Sequence, residues 1–236
     1  MNRLHIILIK WMLVVFPMLL ISCNSLTKNK SKEVILFNGE NLDKWKGDSK
    51  VWSVEDACIV GKTTDEYKID QNTFLIYEDA FSDFELTFQY KIIGGNSGVQ
   101  YRSKVIDEIK FVVGGYQADM EAGINYSGIL YEEKGRGIMA NRGEKVVVLE
   151  NGEKEITKFT SSEAIQGKIH NESWNDYKIV ANKNHLQHFI NSTKTVDVID
   201  NETNKNSNSG IIALQVHAGP NMTVYYKNLV IKPIRN

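Results

Sequence analysis

Between Asp83 and Ile92 the side chains alternate without a break: Phe84, Leu86, Phe88, Tyr90 and Ile92 are apolar, while Glu85, Thr87, Gln89 and Lys91 are polar. A period of two belongs to an extended strand with one buried and one wet face. Short alternating runs separated by turn signals continue from Val34 to the C-terminus, and helical periodicity is scarce. That pattern predicts an all-β chain. Counting the runs gives roughly a dozen strands, more than one open sheet usually carries, so two packed layers are expected: a single-domain β-sandwich over residues 34–236.

Local signals sharpen the outline. Asn151-Gly152 between Val146–Glu150 and Lys154–Phe159 predicts a hairpin, because both turn residues tolerate positive φ. WNDYKIVA from Trp174 and LQHFIN from Leu186 predict a second hairpin around Asn182–Asn184. The one short helix is expected at Ser162–Lys168, capped by Ser161 or Ser162 with Glu163 in its first turn. His170, His185 and His188 fall in polar hairpin or loop contexts and read as solvated.

The first 22 residues stand apart. Arg3 and Lys10 precede an apolar run, Trp11–Ile21, that is short for a membrane span and has the layout of a secretory signal. It ends in Leu20-Ile21-Ser22-Cys23, which resembles a bacterial lipobox; Cys23 is therefore expected to be the lipid-bearing first residue of the mature protein. Residues 23–33 are polar and aperiodic, as suits a tether. With no acidic cluster just after Cys23, the expected location is the cell envelope, anchored to a membrane and facing the periplasm. Removing residues 1–22 takes two basic and no acidic residues from a total of 28 Lys+Arg against 29 Asp+Glu, so the mature chain is mildly acidic and nucleic acid is excluded as a partner. Cys58, left without a disulfide partner, reads as a small buried hydrophobe.

The densest gathering of acid, base and amide groups runs from Gly114 to Glu133, GGYQADMEAGINYSGILYEE. Alternation puts Gln117, Asp119 and Glu121 on one face and Tyr116, Ala118 and Met120 on the other. In NSGVQYRS the polar set is Asn96, Gly98, Gln100 and Arg102; near the C-terminus Ala213, Gln215 and His217 oppose Ile212, Leu214 and Val216. Superimposed, these faces predict one polar surface carrying Gln100, Arg102, Gln117, Asp119, Gln215 and His217. Amides and charges that both donate and accept suit a sugar-binding cleft, and Tyr116, Tyr126, Tyr131 and Trp174 could supply flat surfaces for sugar rings. No metal-binding motif is present, yet His217 with Asp119 or Glu132 could share a cation across strands, so a divalent metal stays open as a cofactor.

Sandwich-fold glucanases of the concanavalin A-like type carry Glu-x-Asp-x-Glu on one strand. The corresponding run here, Gln117 to Glu121, resembles it with an amide in place of the nucleophilic carboxylate, which disfavours ordinary retaining hydrolysis.

Several segments together resemble the 3-keto-disaccharide hydrolase domain family: LFNGENLDKWKG from Leu36, NSGVQYRS, GGYQADMEAG with GILYEEKGRGI, WNDYKI, and the closing GIIALQVHAGPNMTVYYKNLVIK. The resemblance implies a concanavalin A-like jelly roll acting on glycosides whose C3 hydroxyl is oxidised to a ketone, by hydrolysis or by elimination and hydration through a 2-hydroxyglycal. Carried onto the matching segments, it implies His217 or Glu132 as base, Arg102 on the enolate with or without a divalent metal, and Tyr131 as leaving-group acid. Asn96, Gln100, Gln117, Asp119 and Gln215 would hold the substrate. The rival readings are a noncatalytic carbohydrate-binding lipoprotein of the same fold and an ordinary glucanase-like hydrolase.

Overall fold

A computed structural model describes residues 32–234, which belong to one compact unit. The expected signal segment, the lipidated Cys23 and all of the tether up to residue 31 lie outside the described residues. In chain order the strands are β1 (Val34–Ile35), β2 (Trp45–Lys46), β3 (Trp52–Glu55), β4 (Cys58–Lys62), β5 (Thr73–Phe81), β6 (Phe84–Ile93), β7 (Asn96–Asp107), β8 (Val112–Glu121) and β9 (Leu130–Glu133). They continue through β10 (Gly137–Ala140), β11 (Glu144–Val148), β12 (Lys154–Lys158), β13 (Asn175–Asn182), β14 (His185–Ile190), β15 (Thr193–Asp200), β16 (Gly210–Val216) and β17 (Thr223–Pro233). A single-turn helix, α1 (Ser162–Gln166), connects β12 to β13; the Ser161 hydroxyl accepts from the Ala164 N–H at its start.

These strands form two sheets. A ten-stranded sheet runs β12-β11-β15-β14-β13-β6-β17-β4-β3, with β1 on β17, and a seven-stranded sheet runs β10-β9-β8-β7-β16-β5-β2. The excess over a dozen comes from short strands, β1 and β2 of two residues and β3, β9 and β10 of four, too short to show a clear period. Leu86, Phe88, Ile179 and Val196 of the larger sheet meet Tyr101, Tyr116, Met120 and Leu214 of the smaller one in a shared core. Each such burial contributes about 1.5–3 kcal/mol, and it is the alternation of β6 and β8 that delivers it.

The second hairpin also corrects one expectation. Leu186, His188 and Ile190 share the inward face of β14, so His188 is fully buried rather than solvated. Its Nε2 lies 3.0 Å from the Tyr101 hydroxyl, and burial pushes its pKa down to about 3. It is a neutral core residue.

The strand β7 carries a second departure from simple alternation. Tyr101 pairs with Tyr116, but the next paired residue is Lys104, opposite Gly114. Arg102 sits in this bulge at φ +47°, and the bulge re-aims its side chain.

Candidate functional site

The outer face of the seven-stranded sheet carries the site. Opposed residues of an antiparallel pair share a face, and the register sets Asn96 against Glu121, Gly98 against Asp119, and Gln100 against Gln117. Tyr131 of β9 faces Gln117 in turn. Tyr116, Ala118 and Met120 go to the core. A cavity of about 590 Å³ opens over this face, lined by Asn72, Asn96, Gln117, Asp119, Glu121, Tyr131, Glu133, Gln215 and His217. That size suits a small ligand.

Its floor is a chain of oriented amides. The Ser103 hydroxyl donates to Gln100 Oε1 at 2.6 Å, which turns Gln100 Nε2 toward Gln117 Oε1, also at 2.6 Å. Gln117 Oε1 accepts again from Gln215 Nε2 at 3.1 Å, so Gln117 Nε2 is left to donate to Asp119 Oδ1 at 2.7 Å. Gly98 makes room for this: a Cβ there would lie 2.5 Å from Gln117 Cγ. Glu133 Oε2 accepts from Gln215 Nε2 at 3.4 Å and from Asn72 Nδ2 at 3.5 Å. Gln215 Oε1 is buried and has no hydrogen-bond partner among the described residues.

Electrostatics single out Asp119. It is 6% exposed, and no basic side chain among the described residues forms an ion pair with it. Burial pushes its pKa up to about 8, with the nearby Glu133 and Glu121 adding to the rise against the lowering pull of the Gln117 hydrogen bond. A carboxyl so perturbed, lining a cleft, has the character of an acid–base group. Burial also raises Tyr131, as do the charges of Glu133 and Asp119, so its hydroxyl keeps its proton. His217 stands exposed at the rim; its Nδ1 lies 2.6 Å from the Ala218 carbonyl, which can only accept, so Nδ1 is the donor in that contact and Nε2 is turned elsewhere.

Two of the expected site residues are elsewhere. Arg102 is 1% exposed and points away from the cleft, donating to the carbonyls of Ser82, Lys183 and Ser207 and to Asp83 at 2.8 Å. The bulge at residues 101–104 broke the parity that would have put it beside Gln100. Glu132 likewise turns from the cleft, because β9 alternates: Tyr131 and Glu133 face one way, Glu132 the other, onto Arg136. Gln100 is in the floor beneath Gln117 and is wholly buried, while Asn96, Gln117, Asp119, Tyr131, Gln215 and His217 come together around the cavity. Of the aromatics, Tyr116 is core and Trp174 packs against Tyr225 on the opposite sheet. Glu133 closes the Gly114–Glu133 stretch, and its i, i+2 spacing from Tyr131 carries it to the cleft face; nothing in the sequence points to Asn72. No group of three or more His, Cys, Asp or Glu side chains that could hold a metal ion occurs among the described residues.

A family model described as a 3-keto-alpha-glucoside-1,2-lyase-like domain matches residues 32–232. The chain belongs to that family. Membership makes it a carbohydrate-active domain. No curated protein sequence matches it. Among solved structures, a candidate glycosyl hydrolase from Parabacteroides distasonis ATCC 8503 is similar at 16% identity and a TM-score of 0.57, over 86% of this chain and 100% of that one. The CBM66 carbohydrate-binding module from Bacillus subtilis is similar at 15% identity and 0.52, over 79% and 93%. A beta-1,3-1,4-glucanase (lichenase) from a mouse hindgut metagenome is similar at 10% and 0.52, over 87% and 100%. At such identities the likeness speaks for the fold, a concanavalin A-like jelly-roll sandwich, which carries enzymes and binding modules alike.

Proposed function

We propose that this lyase-like domain cleaves glycosides whose C3 hydroxyl has been oxidised to a ketone, by elimination across C1–C2 and hydration of the resulting 2-hydroxyglycal. The observation that carries the reading is Asp119, a cleft carboxyl aimed by Gln117 and held at about 8. A 3-ketone acidifies the hydrogen on C2, so one well-placed base suffices to begin. In this scheme ionised Asp119 takes the C2 proton and the bonding pair moves into an enolate. The Asn72 amide, which gives one N–H to Glu133, has a second to stabilise the enolate oxygen. Collapse of the enolate forms the C1–C2 double bond and expels the C1 oxygen, which takes a proton from the Tyr131 hydroxyl. Water then adds at C1, with a proton returned to C2. Gln215 Oε1, buried and without a partner among the described residues, supplies an acceptor for a sugar hydroxyl.

The pair Asp119 and Glu133 favours a second reading, direct hydrolysis of an unoxidised glycoside by two carboxyl groups. One experiment separates them. Incubated with a 3-keto-glucoside and with its parent glucoside, the protein is expected to consume only the former and, in deuterated water, to leave deuterium at C2 of the recovered keto-sugar. Comparable cleavage of the parent returns the site to a hydrolase; binding of both sugars without turnover makes it a binding module.

We also propose that the domain works in the cell envelope, tethered by lipid on Cys23, a reading that rests on the Leu20–Cys23 context. Mass spectrometry of membrane-extracted protein showing an unmodified N-terminus at another position would overturn it.

A further inference from the structure

The cleft is chemically lopsided along the strand order. Toward β16 and β5 it offers Gln215, His217 and Asn72; toward the β10 edge it offers Tyr126, Ile129 and Ile138. Ile138 lies opposite Tyr131 in the β9–β10 pairing, so the two side chains share a face, with Ile138 on the outer strand. Ile138 is 40% exposed and Tyr126 46%, both large apolar bodies left open beside a buried polar floor.

The Tyr126 side of this wall is built rather than loose. Glu121 Oε1 accepts the backbone N–H groups of Asn125 and Tyr126, and the Ser127 hydroxyl accepts the Glu121 N–H at 2.9 Å. Buried Arg142 holds the same loop through the Ile124 carbonyl at 2.6 Å and the Ser127 carbonyl. Glu121 is thereby committed to the loop, and Tyr126 and Ile138, backed by the buried Ile129, present an aromatic ring and an aliphatic side chain where a second sugar ring would ask for donors and acceptors.

We propose that this wall is a leaving-group subsite for an aromatic aglycone, so that the preferred substrates are 3-keto-glycosides of aryl or arylalkyl alcohols rather than of a second sugar. The inference rests on the function proposed above: if Tyr131 protonates the departing oxygen, whatever that oxygen carries extends from Tyr131 toward Ile138 and Tyr126. A ring there is covered by apolar surface, whereas a sugar would leave its hydroxyls facing Ile138 and the Tyr126 ring.

The test compares methyl, benzyl and glucosyl 3-keto-glucosides. Methanol and benzyl alcohol are leaving groups of similar acidity, so their ratio reads contact rather than chemistry. Burying the ring is expected to raise kcat/KM for the benzyl over the methyl substrate about ten- to a hundredfold, with the disaccharide below the benzyl compound. Ile138→Asn and, separately, Tyr126→Ser are expected to pull that ratio toward one. Equal rates for methyl and benzyl, or preference for the disaccharide, overturn the aglycone inference and leave the keto-glycoside reading standing. Turnover of none of the three counts against the proposed function instead. Calorimetric binding of the same compounds to Asp119→Asn decides the subsite without turnover: equal dissociation constants for benzyl and methyl overturn it whatever the reaction.

Discussion

Glu132 and Glu133 are neighbours in sequence and belong to different physical regimes. Glu132 enters a cluster in which Arg136 pairs with Glu132, Asp200 and Glu202, with Asp200 also taking the Tyr116 hydroxyl and Lys205 holding Glu202 at 2.8 Å. Burial by itself would lower Arg136, but Asp200 and Glu132 outweigh it and raise it above the ordinary range. Glu133, 8% exposed, goes to the cleft, where its hydrogen-bond partners are the neutral amides of Asn72 and Gln215 and its charge adds to the rise of Asp119. The first region neutralises its buried carboxylates with a guanidinium and ties the β9–β10 hairpin to the end of β15. The second leaves Asp119 without a basic partner among the described residues, and Glu133 with only the Lys134 ammonium 3.9 Å away, at a cost in stability that chemistry can use.

The largest test of this contrast is Asp119→Asn. Activity is expected to fall about 10²- to 10⁴-fold, while the fold becomes more stable at alkaline pH. Asp119 is raised in the folded state from 3.8 to about 8, so the favourable balance holds below the lower value and is lost as pH climbs to the upper one. The loss is about 1.4 kcal/mol per pH unit in that window. Denaturant melts of both proteins at pH 4 and pH 9 should therefore converge at the lower pH and separate at the higher, with the variant ahead. For the parent protein, kcat/KM should rise with pH toward a plateau above about 8, as the base ionises. A flat profile would remove Asp119 from the role of base.

Glu132→Gln against Glu133→Gln sharpens the comparison between neighbours. The first breaks a buried ion pair and is expected to lose about 3 kcal/mol of stability, leaving the pH midpoint of activity where it was. The second should spare stability, lower activity, and move that midpoint below the parent value, since a charge that raises Asp119 has gone. If the two variants exchange these signatures, the assignment of the side chains to the two regions is wrong.

Arg102→Lys should have the smallest effect. The guanidinium fork spans three carbonyls and Asp83, which a single ammonium cannot match. A loss of about 2 kcal/mol is expected, with kcat per folded molecule unchanged. A fall in kcat without loss of stability would put Arg102 back among the cleft residues.

The sequence alone determined the layers and most of the cleft. Period-two alternation in β6, β8 and β16 follows from the pleat itself, a local steric property, and it carried Gln117, Asp119 and Gln215 to one face and Tyr116, Met120 and Leu214 to the other. The short motifs pointed to the family for the same local reason. Tertiary structure decided the rest, because those outcomes depend on partners distant along the chain. The bulge that turned Arg102 inward arises between two strands and leaves no mark in the alternation of one. Arg136 could not be matched to Asp200 or Glu202 before the hairpin met the end of β15, nor Asn72 to Glu133 before β5 and β9 joined one sheet. His188 alternates into the core on β14, and its polarity concealed this until Tyr101 of the opposite sheet came to meet it. The pKa of Asp119 belongs wholly to this second group: a carboxylate loses its charge readily only where the surrounding fold has removed water, and desolvation is a property of the packed volume rather than of any run of residues.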